Sequence, residues 1–232
     1  MEPATNGSTI YDVDFQVFED TVPEALLTTV DHVSQALPMG RMDNFVLFYR
    51  ALFGFVPEQL CEIADTMGLI QSRTMTSVGR DIRLVLNISE SRETTTGRFL
   101  TTFGAGVQHI AMASTDIQHT LAQLASRGAR FLQIPGNYYE DIAAKWGLAD
   151  EHVDRLRGNN ILFDRDDTGD FLHAYTDPFD DRFFFEIVQR IDGYQQYGAA
   201  NATVRMAAQA KRRSATVAHA GAVRADLGRS AR

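Results

Sequence analysis

Between residues 29 and 190 the hydrophobic and polar positions run through one plan twice. In the first pass, residues 29–37 (TVDHVSQAL) form a short run of β type. Residues 42–55 follow, with Phe45, Phe48, Tyr49 and Leu52 at the three- and four-residue spacing of one helix face. Three runs of strand character complete the unit: 59–64, 69–76 and 81–88. The second pass opens with residues 106–114 (GVQHIAMAS) and continues through 116–127, where Ile117, Leu121 and Leu124 make a helical stripe. Asp116 suits the start of that helix, because its carboxylate can accept from the free amides of the first turn; Gly128 suits its end. Residues 129–134 read as a strand and 138–157 as an insertion of one or two helices. Residues 161–164 and 170–176 flank the turn Asp166-Asp167-Thr168-Gly169 as a hairpin, and 182–190 (RFFFEIVQR) form the last strand.

Each unit is thus β-α-β-β-β, too small to bury both faces of its own sheet, and two such sheets facing one another close a half-barrel around a cavity. The expected class is α+β, with the domain over residues 24–202, unit one at 28–98 and unit two at 105–202. Residues 1–23 show little periodicity and read as a lead-in. Residues 203–232 carry seven Lys/Arg and one Asp, a net +6 that leaves the rest of the chain at −14 within a total of −8. That segment reads as a basic, partly disordered tail. The acidic body argues against a nucleic-acid partner. No apolar run approaches the roughly 18 residues needed to cross a bilayer, so no membrane partner and a cytoplasmic location are expected.

The candidate chemistry lies at matched positions of the repeat. Val30-Asp31-His32-Val33 and Val107-Gln108-His109-Ile110 place one histidine in each opening strand. Side chains alternate across a strand, so each histidine points either into the cavity or away from it. Glu186 sits between Phe184, Phe185 and Ile187, Val188, where an ionised carboxylate is costly to bury unless a cation or strong donor meets it. Two imidazoles and one carboxylate match the facial triad that leaves metal positions open and favours non-haem Fe(II), although manganese, cobalt or zinc could occupy the same atoms. Cys61, the single cysteine, reads as a small buried apolar residue, and any metal must use His, Asp or Glu. His119 and His152 read as surface residues, and His219 lies in the tail. Neither a phosphate-binding glycine loop nor a nucleophile elbow is present.

Residues 106–111 (GVQHIA), 161–167 (ILFDRDD) and 185–190 (FEIVQR) resemble the iron-bearing carboxy-terminal domain of the 4-hydroxyphenylpyruvate dioxygenases, of the vicinal oxygen chelate superfamily. The likeness extends over about residues 29–201 and is most specific in the second unit. It places the three iron ligands on His32, His109 and Glu186, and substrate-side positions on Ser72, Asn87, Gln108, Tyr175, Phe184 and Asn201. It implies one divalent metal, a small 2-oxo acid and O₂ as reaction partners, and a homo-oligomer. His173 and Tyr175 stand where those dioxygenases carry Gln and Phe, so His173 becomes a candidate proton donor. Ala202 stands where the family has a Phe that clamps the substrate ring. Residues 171–173 (FLH) and 197–202 (YGAANA) are more similar to the dioxygenase-like second half of bacterial fused 3-dehydroshikimate dehydratases, which implies a dehydratase barrel as a partner. Three functions follow: a dioxygenase-like enzyme, a non-catalytic metal-binding domain beside such a barrel, and a glyoxalase-like isomerase that would use four protein ligands.

Overall fold

The structure, a computed structural model, describes residues 26–180 and 182–230, with side chains to residue 214. The expected lead-in at 1–23 lies outside the described residues. Among the described residues, nine strands form one mixed sheet in the order β2-β4-β5-β1-β6-β9-β8-β7, with β3 paired to β4. Unit one contains β1 (Val30–Ala36), α1 (Met42–Phe53), β2 (Val56–Pro57), β3 (Cys61–Asp65), β4 (Gly68–Thr76) and β5 (Arg83–Ser89). After α2 (Thr95–Phe103), unit two contains β6 (Gly106–Ala113), α3 (Ile117–Ser126), α4 (Gly136–Trp146), α5 (Asp150–Gly158), β7 (Leu162–Asp166), β8 (Gly169–Tyr175) and β9 (Phe184–Asp192). A final helix, α6, spans Ala199–Ser230.

The repeat is visible in the pairing. β1 runs parallel to β5 and β6 parallel to β9, while β1 and β6 lie antiparallel at the centre and join the two units. The outcome is the α+β half-barrel expected from the pattern. Module two holds the larger core, in which Leu121, Tyr139, Leu156, Leu162 and Ile187 pack together. Module one has a smaller one around Leu37, Phe55, Met75 and Leu86. Asp116 caps α3 as expected, its Oδ1 accepting from the His119 amide at 3.0 Å.

Three expectations need correction, and one helix lay outside them. Residues 129–134 make only an isolated bridge, Phe131 to Thr176, because β7 and β8 already form the outer hairpin. Helix α2 was not foreseen: its Thr- and Gly-rich start lacks an apolar stripe, yet Thr94 caps it by accepting from the Gly97 amide at 3.0 Å. Cys61 is exposed on β3, which pairs only with β4, and is not a core residue. The boundary at residue 202 falls inside a helix, and residues 203–230 continue α6. The alanines of this segment are the strongest helix formers, and Ala202 and Met206 anchor the start of the helix by packing on Ile70.

Candidate metal centre

β1 carries an irregularity in its register with β6 between Val30 and His32. Such a bulge turns consecutive side chains toward one side, and Asp31 and His32 are both buried here. The His32 ring is held by Asp31, with Nδ1 to Oδ1 at 2.8 Å. Asp31 is in turn gripped by Arg190 of β9 through two parallel bonds, Nε to Oδ2 at 2.7 Å and Nη2 to Oδ1 at 2.9 Å. Burial opposes the charge on Asp31, but Arg190 and His32 outweigh it and hold the carboxyl far below the usual range.

His109 lies on β6, next to its register partner Phe184 on β9, and the two rings stack at 4.9 Å. Two residues along β9, Glu186 faces the same cavity. Its Oε2 lies 3.2 Å from His32 Nε2 and 3.3 Å from His109 Nε2. Three ligand atoms, one from each residue, fall within 4.8 Å of one another, and all three residues are buried. Ligands at about 2.1 Å from one ion and adjacent to each other stand about 3 Å apart, which the two spacings from Glu186 to the imidazoles match, so the three residues could hold a single divalent metal. Burial opposes ionisation of Glu186, yet bonds from His109, His173 and His32 hold its pKa well below the carboxylate norm. Burial pushes His109 down to about 4. For His32 burial works in the same direction, but Asp31 and Glu186 prevail and raise it to about 9.

A cavity of about 170 Å³ opens beside the triad. Ser34, Ser72, Thr74 and Asn87 of module one form its polar wall, with Tyr175, Tyr197, Ala202 and Arg205 opposite. Asn87 Nδ2 donates to Ser34 Oγ at 2.9 Å. Of the positions named from the sequence, Ser72, Asn87 and Tyr175 line this cavity. Gln108 and Phe184 line a neighbouring cavity of about 390 Å³ bounded by α2 and α6. His173 and Asn201 stand behind Glu186. His173 Nδ1 is 2.8 Å from Glu186 Oε1, and its Nε2 accepts from Asn201 Nδ2 at 3.0 Å. Since an amide nitrogen only donates, Nδ1 carries the proton and gives it to Glu186. Asn201 is fixed in turn by Phe163 O at 3.0 Å and by Tyr138 OH at 3.0 Å. Gly198, at φ +58°, makes room: a Cβ there would come within 3.0 Å of the His173 ring. His119, read as a surface residue, is exposed, and His152 is half-buried against Phe163.

Sequence reasoning passed over the Asp31–Arg190 pair, which is separated by 159 positions and meets only through the sheet. It also passed over Arg205. The signal for Arg205 was available in Asn201, Ala202, Arg205, Met206 and Ala208, which recur at helical spacing and are all buried.

The family profile for the Glyoxalase/Bleomycin resistance protein/Dioxygenase superfamily matches residues 29–145. A 3-dehydroshikimate dehydratase of Pseudomonas putida is 44% identical over 216 residues, covering 92% of this chain and 34% of that protein. A 4-hydroxyphenylpyruvate dioxygenase of Pseudomonas aeruginosa is 32% identical over 198 residues, covering 83% of this chain and 55% of that protein. Among solved structures, a xylose isomerase-like TIM barrel/4-hydroxyphenylpyruvate dioxygenase fusion protein superposes with a TM-score of 0.69 at 44% identity, covering 81% of this chain and 30% of that one. The chain therefore spans about a third of the length of the dehydratase relative and about half that of the dioxygenase. Fold, matched profile and a buried His-His-Glu set agree that the chain belongs to the Glyoxalase/Bleomycin resistance protein/Dioxygenase superfamily.

Proposed function

We propose that this protein is a non-haem Fe(II)-dependent, dioxygenase-like enzyme acting on a 2-oxo acid. The observation that carries the reading is the number of protein ligands. By strand register, the place in module one equivalent to Glu186 is Val85: Ala111 pairs with Glu186 two residues after His109, and Ser34 pairs with Val85 two residues after His32. Valine offers no donor atom, so the repeat supplies three ligands where a symmetric site would supply four. Three ligands leave positions for a chelating substrate and O₂, which favours the dioxygenase-like reading over a four-ligand isomerase. A metal bound by His32, His109 and Glu186 would supply Lewis-acid and redox chemistry.

The chain's own residues have defined tasks in this proposal. Asp31 keeps the His32 ring oriented with Nε2 toward the metal position, and His173 does the same for the Glu186 carboxylate. His173 is therefore a positioning residue, with both ring nitrogens engaged. Ser72 and Asn87 would meet polar atoms of the substrate, while the hydroxyl of Tyr175, kept neutral by burial, is engaged with Glu186 and lies 3.1 Å from His173 Nδ1, so that it helps to hold the carboxylate. Gln108 and Phe184 shape the wall behind His109.

A second reading, a metal-binding domain working beside a dehydratase barrel, is favoured by the relative in which a TIM barrel and a dioxygenase domain are one polypeptide. One experiment separates the two. The protein is reconstituted with Fe(II) anaerobically, its metal content determined, and O₂ uptake followed against a panel of aryl and alkyl 2-oxo acids. Uptake coupled to CO₂ release supports the enzyme, and full metal occupancy without uptake contradicts it in favour of the partner-dependent domain.

A further inference from the structure

The metal cavity contains a positive charge that nothing in the triad requires. Arg205 projects from the second turn of α6, is 8% exposed, and lines the cavity together with His32, His109 and Glu186. Its guanidinium carbon lies 5.2 Å from the Tyr175 ring centre and 5.9 Å from that of Phe184. Those rings border His109, at 6.2 Å and 4.9 Å respectively. Arg205 is thus one aromatic ring away from a metal ligand.

Among the described residues, no carboxylate forms an ion pair with it, and its one hydrogen bond runs from Nη1 to Gln209 Oε1 at 3.3 Å. The other buried arginine in contact with this site behaves differently: Arg190 is locked to Asp31 by two bonds. The faces of Tyr175 and Phe184 offset part of the cost of burying this guanidinium, and among the described residues no anion completes its pairing. Its planar fork of donors matches a carboxylate, and the bond so formed is charge-assisted and strong.

The opposite wall strengthens the case. Ser34, Ser72, Thr74 and Asn87 put hydrogen-bonding groups on the module-one side, although Ile63 and Val85 lie among them and Glu58, paired with Arg80, also borders the cavity. At roughly 10–15 Å³ of space per water-sized group, about 170 Å³ holds on the order of a dozen non-hydrogen atoms. That is the size of a short dicarboxylate.

We propose that Arg205 receives a second carboxylate, and that the ligand of this site is a small 2-oxo dicarboxylic acid. This rests on the 2-oxo acid reading above. The first carboxylate and keto oxygen face the triad, and the distal carboxylate faces Arg205 beside the Tyr175 ring.

The test needs no turnover. Fe(II)-loaded protein under anaerobic conditions is titrated calorimetrically with two matched pairs, 2-oxoglutarate against 2-oxopentanoate and 2-oxoadipate against 2-oxohexanoate. In each pair only the distal carboxylate differs. The diacid is expected to bind tighter by a factor on the order of ten or more, and Arg205→Gln is expected to collapse that preference to within about twofold. Arg205→Lys should retain part of it. Metal content and circular dichroism on each variant establish that it is folded and loaded. Equal binding of diacid and monoacid by the wild-type protein, no binding of either, or a preference that survives Arg205→Gln would overturn the assignment while leaving the metal reading standing. A wild-type protein that takes up no Fe(II) would instead overturn the metal reading, and this inference with it.

Discussion

The two modules share one plan but cover their sheets differently. In module two, α3, α4 and α5 fold over the outer face, and Tyr139 and Leu156 are completely enclosed. In module one a single helix, α1, serves the same purpose and leaves Leu47 and Leu52 each 66% exposed, with Phe48 and Phe53 beside them. The inserted helices α4 and α5 therefore add buried apolar side chains to module two, while module one presents apolar side chains to solvent. The same imbalance runs through the metal centre. Module one contributes one ligand, His32, held through Asp31 by an arginine that belongs to module two. Module two contributes His109 and Glu186 and also the brace behind Glu186, formed by His173 and Asn201. A chain can repeat a topology and still concentrate both its core and its chemistry in one copy.

The sharpest way to break this comparison is to remove the link between the modules. Arg190→Met leaves the Asp31 carboxylate buried without its main partner and should cost about 3–5 kcal/mol in chemical denaturation; a cost near zero would show that the modules do not depend on this pair. Next in size is the contrast between the two outer faces. Leu156→Ala, in the enclosed core, should cost about 2–5 kcal/mol, whereas Leu52→Ser on α1 should stay within about 0.5 kcal/mol. Similar losses at both positions would contradict the asymmetry.

Smaller effects sharpen the picture at the site. His173→Ala should weaken metal affinity by roughly 10- to 100-fold with little change in fold, and His173→Gln should recover part of it by keeping a donor to Glu186. No change in affinity would mean that Glu186 needs no brace.

A pH dependence follows from His32, raised to about 9 in the metal-free protein. The raised value means that its stabilisation is full below the unfolded-state pKa, about 6.5, and fades as pH rises through about 9. A metal requires the neutral ring, so metal affinity should increase over the same interval. His109, pushed down to about 4, is already neutral there and contributes nothing to that slope. Denaturation midpoints and metal titrations at several pH values between 6 and 10 check both trends.

Much of this was legible in the sequence because it is written in local periods. Strand alternation and helix spacing gave the paired β-α-β-β-β plan, and the matched strand histidines and the acid among phenylalanines marked the triad. What the sequence concealed depends on register and on distant contacts. Arg190 reaches Asp31 only once β9, β6 and β1 are aligned, and the polar wall of Ser34, Ser72, Thr74 and Asn87 is assembled from three strands. Arg205 was counted with a basic tail because charge was summed over residues 203–232, although the neighbouring Ala202 and Met206 bury that face of α6. His173 was legible as a residue but not as a direction: its position beside Tyr175 and Glu186 is set by the β8–β9 pairing.

The central claim is that His32, His109 and Glu186 together hold one metal ion. Its most direct test is metal content per chain after anaerobic Fe(II) loading and desalting, measured for the wild-type protein, for His32→Ala, His109→Ala and Glu186→Ala, and for His119→Ala as the exposed control. The account predicts about one metal per chain in the wild type and in His119→Ala, and loss of stoichiometric metal in the other three. Equal metal content in all the variants would contradict it.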